Sequence, residues 1–107
     1  MTVQQYEVFI VNPDPTIGSE IRKTRLCAII SPNETNKYLD TVVIAPITSN
    51  SKNYPTRVMI RIEGIENWVV IDQIQTIDKI RLMKKIGKLN QKEVSSIKQI
   101  IKETFVD

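Results

Sequence analysis

The chain has 107 residues, a formal net charge of +3 and a single cysteine, Cys27. A chain of this length forms one domain, here residues 1–107, and buries roughly 65% of its unfolded surface. One cysteine excludes an intramolecular disulfide, and the lack of histidine excludes a structural zinc site, so we expect chemistry without a metal or other cofactor. No segment approaches the ~20 apolar residues of a membrane helix, and the polar start lacks a secretory pattern, which predicts a cytoplasmic protein.

Short runs rich in β-branched and aromatic residues dominate the chain and predict strands. The predicted strands are Tyr6–Val11, Leu26–Ile30, Thr41–Ile47, Arg57–Ile62 and Trp68–Ile74. The second and third are continuously apolar, which is typical of strands covered on both sides. Turn-forming residues separate the runs at Asn12–Pro15, Gly18–Ser19, Asn50–Pro55 and Glu63–Gly64.

Two segments carry helix-start signals. Ser31-Pro32-Asn33-Glu34 combines a capping serine, a proline at the first helical position and a glutamate three residues after the cap, which predicts a short helix ending by Tyr38. Asn90 and Glu93 repeat the capping pattern, and Leu89 can pack onto Val94. The helix that follows has one apolar stripe, which we expect to pack on the sheet, formed by Val94, Ile97, Ile100, Ile101 and Phe105.

Basic residues are concentrated in the second half of the chain. Six of them follow Asp78 without an intervening acid: Lys79, Arg81, Lys84, Lys85, Lys88 and Lys92. Such a run is either an ordinary solvated surface or a basic rim that gathers a polyanion.

Two polar segments suggest a phosphate site. The apolar run Val42–Ile47 ends in Thr48-Ser49, and the segment Asp14–Arg25 ends in an arginine where the next strand begins. Together they supply hydroxyls, a carboxylate and an arginine at strand ends, where a rigid sheet can aim them at one phosphate. This layout predicts a nucleic-acid site.

Several linked motifs occur in order along the chain. They are Asp-Pro-Thr-x-Gly-Ser-Glu-x-x-x-Thr-Arg (14–25), Ile-Ile-Ser-Pro (29–32), Ala-Pro-Ile-Thr-Ser (45–49), Tyr-Pro-Thr-Arg (54–57) and Asp-Gln-Ile-x-Thr-Ile-Asp (72–78). With these motifs the sequence resembles the MazF/PemK-type toxins from about Tyr6 to the end of the C-terminal helix.

The resemblance implies a fold and a biological role. The fold would be α+β and mainly β, a small SH3-like barrel of the CcdB/PemK type with a short inserted helix and a C-terminal helix. The role would be that of a type II toxin, a sequence-selective endoribonuclease that cleaves single-stranded RNA. It would act as a homodimer whose groove holds RNA or the acidic tail of a MazE-like antitoxin.

RNA can be cleaved without a metal, because its own 2′-hydroxyl can attack the neighbouring phosphate. The protein then has to accept a proton, stabilise charge on the phosphate oxygens and assist the leaving 5′-oxygen. We expect Arg25 to stabilise charge, since a guanidinium matches two phosphate oxygens but holds its protons too tightly to be a good donor. Thr48 would donate a hydrogen bond to the phosphate, and Ser49 would add a contact or close the turn. Without the resemblance, Arg25 could simply pair with Glu20, and Thr48 could simply cap a turn.

Asp72 is the third predicted catalytic residue, because it interrupts an apolar strand. A buried acid there could hold the Arg25 loop through backbone N–H groups, or act as general base if burial makes it a stronger base. Gln73 would point to the opposite face and read a base edge or complete a sheet-edge network. Ser19 and Glu20 could bind the Watson–Crick edges of unpaired bases, and Glu20 could also accept a proton.

Other positions leave alternatives open. Trp68 could stack on a base, or belong to the core or a dimer interface. Leu26 follows the arginine where the family commonly has proline, and Gln75 stands where arginine or lysine is usual. These departures favour an alternative, an inactive module that only binds antitoxin or RNA. A CcdB-type gyrase poison is disfavoured, because the chain ends Phe105-Val106-Asp107 and not Trp-Gly-Ile.

Overall fold

Seven antiparallel strands form one sheet in the computed structural model, which describes residues 2–12, 25–50 and 54–106. The strands are β1 (Glu7–Val11), β2 (Arg25–Ile29), β3 (Thr41–Thr48), β4 (Arg57–Ile62), β5 (Ile65–Val70), β6 (Gln75–Asp78) and β7 (Leu82–Lys88). Their order is β4-β5-β3-β2-β1-β7, and β6 also pairs with β3. Two helices complete the fold, α1 (Asn33–Tyr38) and α2 (Gln91–Ile101). Within the described ranges, no helix has the length and apolar character needed to span a bilayer.

The central strand β3 pairs with three neighbours. Along one edge it pairs with β2, from Leu26 opposite Ile47 to Ile29 opposite Ile44. Along the other edge its first half pairs with β6, and its last two residues pair with β5. The sheet therefore divides along β3, so that β6 follows the curl towards β7 while the β4–β5 hairpin extends away from it. The result is a curled half-barrel.

Apolar residues cover both faces of this sheet, as the continuous runs predicted. The cluster inside the curl contains Val3, Phe9, Val11, Cys27, Ile29, Val42, Ile44, Ile77 and Leu82. The cluster on the other face lies under α2 and contains Val8, Ala28, Ala45, Ile47, Val58, Ile60, Val69, Ile71, Leu89 and Ile97. Alternate residues of β2 and β3 enter alternate clusters, so the direction of every side chain on these strands is fixed by its position.

The C-terminal helix begins where the sequence predicted. The Asn90 side chain accepts from the Glu93 N–H at 2.8 Å, and Glu93 Oε1 accepts from the Asn90 N–H at 2.9 Å, which completes the capping box. Val94, Ile100 and Ile101 pack against the cluster that contains Ile97. The prediction for Phe105 is wrong. This residue lies in a π-helical turn, Lys102–Val106, whose wider winding takes it off the stripe, and 56% of it is exposed.

The short helix α1 is confirmed, including its end at Tyr38, but Ser31 does not cap it. The buried Ser31 hydroxyl instead donates to Asn36 Oδ1 at 2.5 Å and accepts from the Val43 N–H at 3.0 Å. Ser31 therefore ties the helix to β3, because its oxygen faces inwards.

Two strands were missed by sequence analysis, and one predicted strand is too long. Strands β6 and β7 escaped because they are short or rich in lysine, and β5 ends at Val70 because Ile71–Gln73 forms a 3-10 turn. Most of the basic run belongs to β7 or its ends. Within it, Lys85 Nζ lies 2.6 Å from a carboxylate oxygen of the buried Glu7, so at least one of these lysines stabilises the fold.

Glu93 also protects the outer strand of the sheet. Its second oxygen, Oε2, accepts from the Arg61 N–H on β4 at 2.8 Å, so one carboxylate joins the start of α2 to the sheet edge. We expect Glu93→Ala to lower the free energy of unfolding by about 1–2 kcal/mol, since it removes two hydrogen bonds, one of which is the Glu93 half of the capping box. Urea unfolding measures this loss. Glu103→Ala, which removes an exposed carboxylate from the C-terminal turn, is the control, and equal losses in the two variants would contradict the prediction.

Candidate active site

Arg25 and Thr48 lie at adjoining strand ends. Arg25 is the first residue of β2 and is exposed, and Thr48 is the last residue of β3. The paired residues Leu26 and Ile47 are the last pair before these ends, so the next position in the same register sets Arg25 opposite Thr48. Directly opposed residues of an antiparallel pair project to the same face, with Cβ atoms about 4.5–5.5 Å apart. Both side chains therefore leave the sheet on the face that carries Cys27 and Pro46.

The Arg25 guanidinium is exposed at the start of β2. It makes no hydrogen bond or ion pair with any residue in the ranges 2–12, 25–50 and 54–106. An exposed guanidinium can bind an anion through its planar fork without breaking a contact to these residues.

The Thr48 hydroxyl does cap a turn, but this leaves its proton available. Its Oγ1 accepts from the Asn50 N–H at 3.1 Å, and a hydroxyl can donate its own hydrogen while accepting another. Ser49 follows as an exposed residue at the strand end. Thr48 is thus held in place by the same atom that could donate to a phosphate.

Arg57 supports this turn, and sequence analysis gave it no role. Its Nη1 donates to the Asn50 carbonyl at 3.3 Å, and its guanidinium carbon lies 5.1 Å from the centre of the Tyr54 ring. The turn after Thr48 is therefore held from two sides. The signal that could have found Arg57 was its position at the end of the Tyr-Pro-Thr-Arg motif.

A small cleft of about 70 Å³ opens beside Arg25. Its lining consists of Val11, Arg25, Leu26, Cys27, Ile44, Pro46, Gln75, Ile77 and Arg81. Among these described residues there are two arginines and no carboxylate, above an apolar floor. Arg81 is oriented by its Nε, which donates to the Asn12 carbonyl at 3.0 Å. Of the six residues in the basic run, only Arg81 lines this cleft. In the sequence, the only indication of a role for Arg81 was its membership of that run.

Asp72 and Gln73 do not occupy the environment that was predicted for them. Both are exposed and lie in the 3-10 turn Ile71–Gln73, not on alternate faces of a buried strand. The Ile71 N–H still bonds the Thr56 carbonyl at 2.9 Å and so continues the β4–β5 register by one position. The chain then turns, closed by the Ile74 N–H, which donates to the Ile71 carbonyl at 3.3 Å, so Ile71 is buried and the next two residues are exposed. The premise of a buried Asp72 carboxylate is therefore wrong. Neither residue lines the cleft beside Arg25.

The remaining predicted residues, Ser19 and Glu20, lie outside the described residues. For metal binding, the described part of the chain holds no group of three or more Asp, Glu, Cys or His side chains that could bind an ion.

A second cavity, of about 330 Å³, lies near the start of β3 and contains none of the predicted site residues. It is lined by Thr2, Val3, Gln4, Asn33, Asn36, Lys37 and Lys79. The Lys79 ammonium is already engaged, because it donates to the Asn36 carbonyl. The strand ends of β2 and β3 are the better candidate, because there an arginine with no partner among the described residues lies opposite a hydroxyl.

Comparison with known proteins gives the class of protein to which this fold and site belong. Residues 4–105 match the model of a family described as the PemK-like, MazF-like toxin of type II toxin-antitoxin systems. The sequence is 32% identical over 101 residues to an endoribonuclease MazF of Staphylococcus saprophyticus, covering 89% of this chain and 84% of that protein. The chain therefore belongs to the PemK-like, MazF-like toxin family, which confirms the resemblance seen in its motifs.

Solved structures confirm the fold. The MazE-MazF structure from Deinococcus radiodurans matches with a TM-score of 0.81 at 17% identity, covering 99% of this chain and 97% of that one. The Mycobacterium tuberculosis toxin MazF-mt6 matches with a TM-score of 0.77 at 22% identity, covering 92% and 95%. An endoribonuclease from a mycobacterial species, in complex with its cognate antitoxin, matches with a TM-score of 0.80 at 20% identity, covering 94% and 92%.

Cys27 forms part of the cleft floor but is fully buried, and this burial raises the pKa of its thiol from 9.0 to about 12. A raised folded-state pKa means that the unfolded chain loses the proton first, so stability should fall as the pH rises above about 9. We expect the free energy of unfolding to fall by about 1.4 kcal/mol more in the wild type than in Cys27→Ala between pH 8 and pH 10. Urea unfolding at the two pH values tests this difference, and parallel pH profiles would contradict it.

Proposed function

We propose that the protein is the toxin of a type II toxin–antitoxin pair and acts as a metal-independent, sequence-selective endoribonuclease on single-stranded RNA. The observation that carries this proposal is the register of β2 and β3, which sets the exposed Arg25 guanidinium opposite the Thr48 hydroxyl where the two strands end. Membership of the family and the similarity to a MazF endoribonuclease support it. We further propose that the protein works in the cytoplasm as a homodimer.

The reaction uses the RNA as its own nucleophile. The 2′-oxygen loses its proton and forms a bond to the adjacent phosphorus while the bond to the 5′-oxygen breaks. The leaving 5′-oxygen takes a proton from water, which yields a cyclic phosphate and a free 5′-hydroxyl. Negative charge builds on the non-bridging oxygens during this step. Arg25 would bind two of these oxygens, and Thr48 would donate to one, so that both stabilise the transition state more than the substrate.

Proton transfer needs an acceptor for the 2′-hydroxyl proton. Asp72 and Glu20 are the carboxylates that we propose for this role, and the exposure of Asp72 leaves its oxygens free to accept. Ser49 and Gln73, also exposed, and Ser19 would contact the RNA around the cleaved bond. These contacts would set the cleavage sequence, because single-stranded RNA presents its base edges to polar side chains.

An antitoxin would compete with RNA for the same surface. Two of the similar solved structures, MazE-MazF from Deinococcus radiodurans and the mycobacterial endoribonuclease in complex with its cognate antitoxin, contain both kinds of protein. In this chain the cleft beside Arg25 carries two arginines and no carboxylate among its described residues, so an acidic segment of a MazE-like antitoxin is its natural complement. Binding there would block RNA by occupying the cleft.

The alternative is a binding module without catalytic power, and Gln75 is the observation that favours it. Gln75 lines the cleft at the position where the family usually has a cation, so the cleft holds one positive charge fewer. Expression with and without a small acidic partner separates the two functions. A nuclease should arrest growth alone and be silenced by the partner, whereas a binder should be harmless in both cases.

The catalytic proposal predicts that Arg25→Ala and Thr48→Ala each lower the rate of RNA cleavage in EDTA by about 100-fold or more, because each removes a donor to the developing charge. Cleavage of a panel of single-stranded RNAs gives the rates. Lys98→Gln on the far side of the sheet and Thr35→Ala on α1 are matched controls that should cleave like the wild type. The proposal is lost if the wild type cuts no RNA, or if the two site variants cut as fast as it does.

Restoring a cation at Gln75 should strengthen substrate binding. We expect Gln75→Arg to lower KM about fivefold at low salt, since it adds one phosphate contact. The slope of the logarithm of the RNA association constant against the logarithm of the salt concentration should become steeper by about 0.7. Gln99→Arg, an exposed position on α2, adds the same charge elsewhere and should change neither quantity. Equal effects of the two substitutions would mean that Gln75 does not face the RNA.

A further inference from the structure

Trp68 is the direct neighbour of Thr48 in the sheet. On β5 it pairs with Thr48 on one side and with Met59 of β4 on the other. Paired residues project to the same face, so a row of side chains crosses four strands: Arg25, Thr48, Trp68 and Met59. The tryptophan ring therefore begins one strand spacing, about 4.8 Å, from the backbone of the proposed catalytic threonine.

Trp68 lies outside both apolar clusters of the described residues. It is half-buried, whereas its chain neighbour Val69 is fully buried on the face that packs under α2. Met59, its cross-strand partner, is 45% exposed. Within the described part of the chain, no acceptor binds the indole N–H. Part of the indole is therefore exposed beside Thr48, where a ligand can contact it.

The surroundings of the ring limit the size of that ligand. One step along the strands on the same face, Arg61 and Glu66 form an exposed ion pair at 3.4 Å. One step the other way, Arg57 lies over the Tyr54 ring. Among the described residues of β4 and β5, the exposed apolar surface on this face is thus confined to Trp68 and Met59. It is far smaller than the ~800 Å² that each partner buries in a stable protein interface, but it suits one planar ring.

A nucleobase fits this combination of features. Bases of single-stranded RNA stack on aromatic rings, and the neighbouring arginines attract the phosphates on either side of a stacked base. An indole beside a phosphate-binding threonine can therefore hold the base next to the phosphate that the threonine contacts.

We propose that Trp68 is a base-stacking residue that binds the nucleotide adjoining the cleaved phosphate. The inference rests on the proposed function, because it takes Thr48 as the contact to that phosphate. Every base has a stacking face, so Trp68 adds affinity and fixes the position of the strand without selecting a particular base. Selection is left to the polar residues.

Trp68 is the only tryptophan in the chain, so it reports on its own contact. The substrate is an RNA that the wild type cleaves, with 2′-deoxyribose at the attacking nucleotide so that it binds without being cut. We expect this RNA to quench the tryptophan fluorescence of the wild type in a saturable way, because stacking on a base quenches an indole. The same RNA with the adjoining base removed should bind about tenfold more weakly and should not quench.

Variants test the same contact without relying on fluorescence. Binding of labelled RNA, followed by anisotropy, should weaken about tenfold in Trp68→Leu and remain within about threefold of the wild type in Trp68→Phe, which keeps an aromatic ring. In Trp68→Leu, removing the adjoining base from the RNA should not weaken binding further. Phe105→Leu, which replaces an exposed aromatic residue elsewhere, should bind like the wild type. Thermal unfolding of each variant separates lost binding from lost folding.

The outcomes distinguish a failure of the stacking role from a failure of the proposed endoribonuclease function. If the wild type neither binds nor cleaves RNA, both fail. If it binds and cleaves while the fluorescence is unchanged and Trp68→Leu binds normally, only the stacking role fails. Fluorescence that follows protein concentration and ignores RNA would instead assign Trp68 to contact with a second copy of the chain, and would overturn the inference.

Discussion

The register between β2 and β3 is the constraint on which the site depends. Side chains alternate between the two faces of a sheet, so a slip of one residue would send Arg25 and Thr48 to opposite sides. The apolar pattern prevents such a slip. Ala28 and Ala45 are paired on the face under α2, while Cys27 and Ile44 enter the curl, and every one of them is buried. The geometry of the polar pair is thus determined by the core residues that precede it on each strand.

The divided pairing of β3 adds the second element of the site. Because β6 takes the first half of one edge and β5 takes the last two residues, Thr48 has a neighbour on each side, Arg25 from β2 and Trp68 from β5. Gln75 and Arg81 reach the cleft from the other branch, along the curl. One strand end therefore gathers side chains from both parts of the sheet, although these residues are far apart in the sequence.

The sequence predicted most of the fold because the relevant signals are local. The Asn90 cap and the ends of α1 follow from residues within one helical turn, and the continuous apolar runs of β2 and β3 correctly indicated strands covered on both sides. The errors arose where a contact between residues distant in the sequence determines the local structure. The pairing of β5 with β4 continues to the bond from the Ile71 N–H to the Thr56 carbonyl, fifteen positions away, and beyond it the chain turns and exposes Asp72 where the apolar run had predicted more strand. Likewise, Ser31 looks like a cap but bonds Val43.

The site residues also divide into those with a signal in the sequence and those placed by contacts between distant residues. Arg25 and Thr48 were named from motifs, and their opposition follows from a pairing register that sequence alone does not give. Sequence analysis assigned Arg57 no role and named Arg81 only as part of the basic run. Each donates to a backbone carbonyl, of Asn50 and of Asn12, and such a bond leaves no side-chain partner to recognise in the sequence.

The carboxylate of Glu93 has a consequence for association between molecules. Strand β4 is an edge strand of the sheet. The unpaired amides of an edge strand can bond strands of other chains, which leads to aggregation. Glu93 accepts from the Arg61 amide and so satisfies one of these groups, and its carboxylate places a negative charge at the edge of the sheet. A residue in the first turn of a helix thereby also helps to keep the molecule from polymerising through this edge strand.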